Sequence, residues 1–380
     1  MKYLVKYSAL TLLILGFQQG VKAQQDPHYT HWRYNKLSYN PAFAGFGNKH
    51  CLSAVARRQW MSLEEESSLY NTESVIASNQ LQKSIGPKTN TITYGGILYG
   101  FDKRGNKDGI KDHSINGMFM FGTDAVAYEN NTYIKVGLAG NYEFLDQSSI
   151  RLGVNYTSLS KSLNGSKLRA HDPNDPLIPV SDIASTVGTV DLGVYYSNPN
   201  VNKLWIGLSN THLSKQQFQY ANFQVTTARH FYLMSGMTFE DFFGPGLDFE
   251  PAVLLKTGVR NSPVTPQLDI NGMVTYNDMF SGGLNIRGQS TGMDAISVLL
   301  GYYPPIFKGN GPNGDGKTLR VGYSYDVTLN AIRKVSAGTH EVQVNFCFPI
   351  NIPPVPDRIK HNTIYMKPRP ELKENNPKNF

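Results

Sequence analysis

Beyond residue 23 the chain has no apolar run approaching the roughly 18 residues that a membrane-spanning helix needs, and no segment sustains a period of 3.6. Helical membrane spans are therefore excluded. Cysteine is scarce: Cys51 and Cys347 cannot make a disulfide scaffold for a chain of 380 residues. Charge is scarce too, at 17% of residues, and the formal net charge of +7 gathers at the two ends. Lys2, Lys6 and Lys22 supply three units, and the segment after Phe348 supplies three more, from Arg358, Lys360, Lys367, Arg369, Lys373 and Lys378 against Asp357, Glu371 and Glu374. About +1 is left for residues 24–348, so nucleic-acid binding has no electrostatic footprint.

The amino-terminal end reads as an export signal. Lys2 and Lys6 precede the apolar run Ser8–Phe17, and Val21-Lys22-Ala23 offers the small or short side chains that a signal peptidase reads, so residues 1–23 are expected to be a signal peptide cleaved after Ala23. The chain also carries 22 Tyr, 19 Phe and 35 Gly, which suits many pleated segments with aromatic ends.

From about residue 50 the sequence alternates with period 2. Val342, Val344, Phe346 and Phe348 alternate with Glu341, Gln343, Asn345 and Cys347, and Leu319, Val321, Tyr323, Tyr325 and Val327 stand opposite Arg320, Gly322, Ser324, Asp326 and Thr328. A soluble β-sandwich would also alternate, but its strands average about five or six residues, whereas these run to roughly ten to fourteen. The fold class is therefore read as all-β: an antiparallel transmembrane β-barrel of about 14 strands with long extracellular loops. Its apolar face would meet lipid and its polar face line a lumen, which reconciles a mean hydropathy of −0.34 with a membrane location. Closure would satisfy every backbone group.

The barrel is expected to span residues 50–348, with early strands at 50–60, 69–80, 91–101 and 132–145. Residues 114–128 are expected to form a hairpin or short helix inside a long external link, 102–131. An even strand count with the amino terminus in the periplasm puts the short links 146–149, 198–200 and Asn277-Asp278 on the periplasmic side and 161–187 and 213–227 outside. The long 304–317 link would also be periplasmic, against the usual preference.

Few motifs suggest chemistry. Gly311 to Thr318 satisfies G-x-x-x-x-G-K-[ST], but a phosphate loop needs a buried strand before it and a helix after it, and here Tyr302-Tyr303-Pro304-Pro305 precedes and a strand pattern follows. Asn106, Asp108 and Gly109 fit part of a calcium loop that lacks its first and last ligands. His28 and His31 lack Cys or carboxylate neighbours at ligand spacing, so no metal is assigned. Glu64-Glu65-Glu66 and Asp172 with Asp175 read as solvated loops, and no Ser/His pair stands out for an enzyme. No cofactor is expected. Cys51 and Cys347 fall on the first and last strands, which closure makes neighbours, and both should point into the lumen. They read either as a disulfide across the seam or as two separate thiols.

Between the signal and the strands lies Gln24 to Gly45, too polar for a core and too aromatic for a linker. The spacing of Asp26-Pro27, Tyr29, Asn35, Asn40-Pro41-Ala42 and Ala44-Gly45 resembles the start of mature PorP/SprF-family membrane proteins of the type IX secretion system. Arg57-Arg58-Gln59-Trp60, Gly322-Tyr323-Ser324-Tyr325-Asp326 and Gly338-Thr339-His340-Glu341 are similar to later elements of that family, in the same order. The resemblance implies a non-enzymatic outer-membrane barrel of the type IX secretion and gliding machinery of Bacteroidota. Its implied partners are an exported adhesin or other type IX substrate, periplasmic machinery proteins and outer-membrane lipid. Residues 24–49 are read as a periplasmic entry or plug segment, with Asp26, Pro27, Tyr29, Trp32, Asn35, Asn40, Pro41 and Gly45 as the motif that docks a partner or plugs the lumen. Tyr29, Trp32 and Tyr34 would supply the plug from the periplasmic side. Residues 349–380 read as a Pro-rich basic periplasmic tail, either a disordered end or a docking segment. The alternative function is an outer-membrane pore for small solutes.

Overall fold

A computed structural model describes residues 26–63, 85–101, 113–168, 179–214, 216–220, 224–259, 264–289, 292–304 and 317–349. Four short 3₁₀ turns, Trp32–Tyr34, Lys36–Ser38, Pro41–Phe43 and Phe46–Asn48, precede the first strand. The strands are β1 (His50–Arg58), β2 (Lys88–Phe101), β3 (His113–Val126), β4 (Glu129–Glu143), β5 (Ser149–Leu163), β6 (Ile183–Asn198), β7 (Leu204–Thr211), β8 (Gln217–Gln219), β9 (Gln224–Thr226), β10 (His230–Gly236), β11 (Leu247–Gly258), β12 (Gln267–Tyr276), β13 (Phe280–Gln289), β14 (Gly292–Tyr302), β15 (Thr318–Thr328) and β16 (Thr339–Phe348).

Fourteen of these close into one antiparallel barrel, each hydrogen-bonded to its neighbour in the chain, while β8 and β9 form a separate two-stranded hairpin between β7 and β10. The barrel closes where β1 meets β16, with His50 opposite Phe348, Cys51 opposite Cys347 and Arg58 opposite His340. The period-2 pattern sorts the two faces. Glu341, Gln343, Ser324 and Asp326 are buried inside, whereas Val342, Val344, Tyr323 and Val327 are exposed outside. An outward apolar face and an internally paired backbone are what hydrocarbon demands of a spanning sheet. Short turns lie at the end where β1 begins and β16 finishes. At one of them, the three-residue link from β12 to β13, Asn277 and Asp278 take φ of 47° and 50°, a left-handed pair that Asn and Asp tolerate.

The early strands differ from the sequence reading. The expected strand 69–80 lies outside the described residues, and β1 pairs directly with β2. Residues 113–126, expected as an external hairpin or helix, are instead a wall strand, paired with β2 on one side and β4 on the other. The expected external link 102–131 is thereby divided: residues 102–112 lie outside the described residues, and Ala127 and Tyr128 turn between β3 and β4 at the far end. The glycines and polar residues of SINGMFMFGTD hide an ordinary alternation, in which Met118 and Met120 face inward and Phe119 and Phe121 face lipid.

Candidate functional site

The lumen holds the chain's own amino-terminal stretch. Residues 26–49 run through it, from Asp26 near the far end, beside the end of β7 and the start of β10, down to β1 at the seam end. The sequence reading gave this stretch as a periplasmic entry segment that either plugs the lumen or docks a partner. In the structure it spans the barrel's height, because its successive polar groups each find a partner at a different level of the inward face. Of the residues named from the sequence, Tyr29, Trp32, Asn35, Asn40, Pro41 and Gly45 are buried, and Asp26 and Pro27 nearly so.

Three separate attachments hold the segment. The first is ionic. Glu341 of β16, fully buried, accepts from the backbone N–H groups of Thr30 (2.8 Å) and His31 (2.7 Å) and from the Arg57 guanidinium (2.9 Å). Arg57 also donates to Thr30 Oγ1 (2.6 Å) and to Asp326 (2.9 Å), and Thr30 Oγ1 donates to Asp326 (2.8 Å). Arg287 joins the same carboxylate at 3.5 Å and Asp269 at 3.0 Å, and His28 lies 3.2 Å from Asp269. Arg57, Asp326 and Glu341 come from three motif elements that are far apart in the chain. The sequence signal that could have joined them is the presence of full charges on the inward face of otherwise neutral strands, since such groups are retained only when paired.

The second attachment is steric. Asn40 caps the third turn through its Oδ1, which accepts from Ala42 N at 2.9 Å, with Pro41 in the first helical position. Its Nδ2 donates to the carbonyls of Val194 (3.0 Å) and Leu208 (3.1 Å), which face each other on β6 and β7. Gly153 and Gly193 make this approach possible: a Cβ on Gly153 would overlap the Pro41 and Ala42 backbone, and one on Gly193 would overlap the Asn40 amide. The third is aromatic. Trp32 packs edge-on to Trp205 at 6.3 Å, Tyr39 meets Tyr29 and Tyr232, and the Lys36 ammonium stands 3.5 Å over the Trp205 ring. Asn35 is buried, but its side-chain amide has no hydrogen-bond partner among the described residues, and nothing in the structure explains its place in the motif.

Asp26 anchors the far end. Its carboxylate lies 2.8 Å from His212 Nε2 and 3.3 Å from His230 Nδ1, and it accepts from Tyr232 (2.8 Å) and Thr211 (3.2 Å). His28 and His31 do not converge; one sits on Asp269 and the other on Glu341. Among the described residues, Asp26, His212 and His230 are the set that brings enough donors together to hold a metal ion.

At the seam end a vestibule of about 720 Å³ remains, lined by Arg33, Lys36, Phe43 and Phe46 of the threaded segment and by Trp205, Tyr303 and Arg320 of the wall. Cys51 and Cys347 also line it and are disulfide-bonded, with Cα atoms 4.1 Å apart. The denatured chain is expected to migrate faster on a gel without reductant than with it, because the bond closes a loop across 296 residues. Identical migration with both thiols open to labelling would leave the seam unbonded. Thr318, the last residue of the Gly311-to-Thr318 motif, opens strand β15 and not a helix, and Gly311 to Gly316 lie outside the described residues. So do residues 102–112, Glu64-Glu65-Glu66, Asp172, Asp175 and the segment from Ile350 onward.

The model of a family described as type IX secretion system membrane protein PorP/SprF matches residues 21–346. Among solved structures, a FadL homologue of Pseudomonas aeruginosa is 10% identical, with 82% of this chain and 92% of that one covered and a TM-score of 0.44. The toluene transporter TodX of Pseudomonas putida is 7% identical, over 87% and 96% of the two chains, with a TM-score of 0.43. The translocator domain of the autotransporter NalP from Neisseria meningitidis is 10% identical over 84% and 95%, with a TM-score of 0.40. No curated protein matches the chain.

Proposed function

Because the chain belongs to the PorP/SprF family of type IX secretion system membrane proteins, an outer-membrane barrel that works with that machinery, we propose that it is a plugged, non-conducting and non-enzymatic docking barrel. It binds an exported surface protein on its external side and periplasmic secretion components at the vestibule. The observation that carries this reading is the threaded segment, whose ionic, steric and aromatic attachments fill the lumen from Asp26 to Lys49. A solute pore needs a continuous polar path, whereas a docking barrel tolerates a lumen that is solid with its own chain. The vestibule offers the kind of surface that holds a peptide from a machinery component: cations from Arg33, Lys36 and Arg320 beside the rings of Trp205 and Tyr303.

Two measurements test this. In a planar bilayer the purified protein is expected to give no large steady channels, and steady conductance at the level of an open barrel would favour the pore reading. Affinity purification from envelope extracts is expected to recover one exported protein together with periplasmic machinery components. Recovery of neither would remove the docking role even if the bilayer stayed silent.

A further inference from the structure

The far-end anchor holds more than a hydrogen bond needs. Asp26, His212 and His230 each offer one ligand atom, all within 4.8 Å of one another. A plain Asp–His pair accounts for His212, whose Nε2 is 2.8 Å from Asp26 Oδ1. It leaves His230 unexplained. That imidazole is fully buried, its Nδ1 is 3.3 Å from Asp26 Oδ2 without hydrogen-bond geometry, and neither ring nitrogen has a hydrogen-bond partner among the described residues. A buried polar group left idle is costly, and a bound ion would offset that cost.

The neighbouring charges permit a cation. Lys256 Nζ donates to the backbone oxygen of Asp26 at 3.3 Å, and Lys135 Nζ donates to Asp191 at 3.0 Å. Asp191 also accepts from the His212 backbone N–H at 2.9 Å, which fixes the loop that carries the imidazole. Two imidazoles and one carboxylate are the donors of zinc and similar first-row divalent ions, whereas magnesium and calcium prefer oxygen alone and copper(I) prefers sulfur. Zinc bonds of about 2.0–2.2 Å place tetrahedral donors roughly 3.3 Å apart, so a pair of donors at the 4.8 Å limit would have to close by roughly 1.5 Å.

We propose that Asp26, His212 and His230 form a divalent transition-metal site, zinc being the best fit, that clamps the start of the threaded segment to β7 and β10. The site depends only on where this segment lies and stands whether or not the barrel docks partners. Full-length protein in detergent, stripped with chelator and dialysed against Zn²⁺, is expected to bind about one zinc per chain. His212→Ala and His230→Ala, each checked for a folded barrel by heat-modifiable gel mobility, are expected to weaken binding by about 100-fold or more, since loss of a supporting group alone typically costs 10–100-fold. X-ray absorption of the zinc-loaded wild type decides the matter even where a variant does not fold: two imidazole nitrogens plus oxygen support the site. Zinc held only by oxygen or sulfur, zinc retained by both variants, or no stoichiometric zinc overturns it.

Discussion

Replacing Glu341 with alanine should turn a silent barrel into a conducting one. The side chain takes no part in the backbone ladder, and its one bond to the wall is with Arg57 of β1, which keeps Asp326, so the fourteen-strand ladder has no direct reason to fail. What is lost lies in the lumen: the acceptor for the Thr30 and His31 backbone N–H groups and one of the two carboxylates that neutralise Arg57. A buried donor left without its acceptor costs about 1–3 kcal/mol, and here the Thr30 and His31 N–H groups are both left so, while Asp326 still neutralises Arg57. The segment can escape that cost only by leaving its seat. The expected results are current steps in a planar bilayer where the wild type gives none, and new protease cleavage within residues 26–49. Glu341→Gln, which keeps the shape and one acceptor oxygen, should fall between. A Glu341→Ala barrel that stays silent and protected would mean that the ionic cluster does not hold the plug.

Gly153→Val attacks the same segment from the opposite wall, by steric conflict. The added Cβ falls on the backbone of Pro41 and Ala42, which has no rotamer to change, so the turn must lift away. Overpacking of this kind costs about 1–3 kcal/mol or more. Valine also suits a strand better than glycine, so the wall itself should assemble at least as well as before. A loss of plugging with normal barrel assembly is therefore the expected signature, with the same cleavage and conductance readouts. Asn40→Ala should act in the same direction but more weakly, by about 1–3 kcal/mol, through the lost bonds to Val194 and Leu208. If export of a type IX substrate fell in both variants while insertion stayed normal, the threaded segment would have a working role in secretion beyond closing the barrel.

The wall was legible in the sequence because lipid on one side and a polar lumen on the other impose a period of two, and each strand from β4 to β16 that lines the barrel carries it locally. The even strand number and the nearness of Cys51 to Cys347 could be read in the same way, from local pattern and closure, whereas the opening motif was read from its resemblance to the PorP/SprF family. Strand β3 was missed because its small and polar residues weaken the alternation, and the strand expected at 69–80 lies outside the described residues. What only the tertiary structure decided is the content of the lumen. Thr30 meets Arg57, Asp326 and Glu341, Asn40 meets Gly193, and Asp26 meets His212 and His230 across separations of up to 311 residues, and no local pattern encodes them. Closing the sheet sets the level and direction of every inward side chain at once, so the partners of a buried charge follow from the register of the whole barrel and not from its neighbours in the chain.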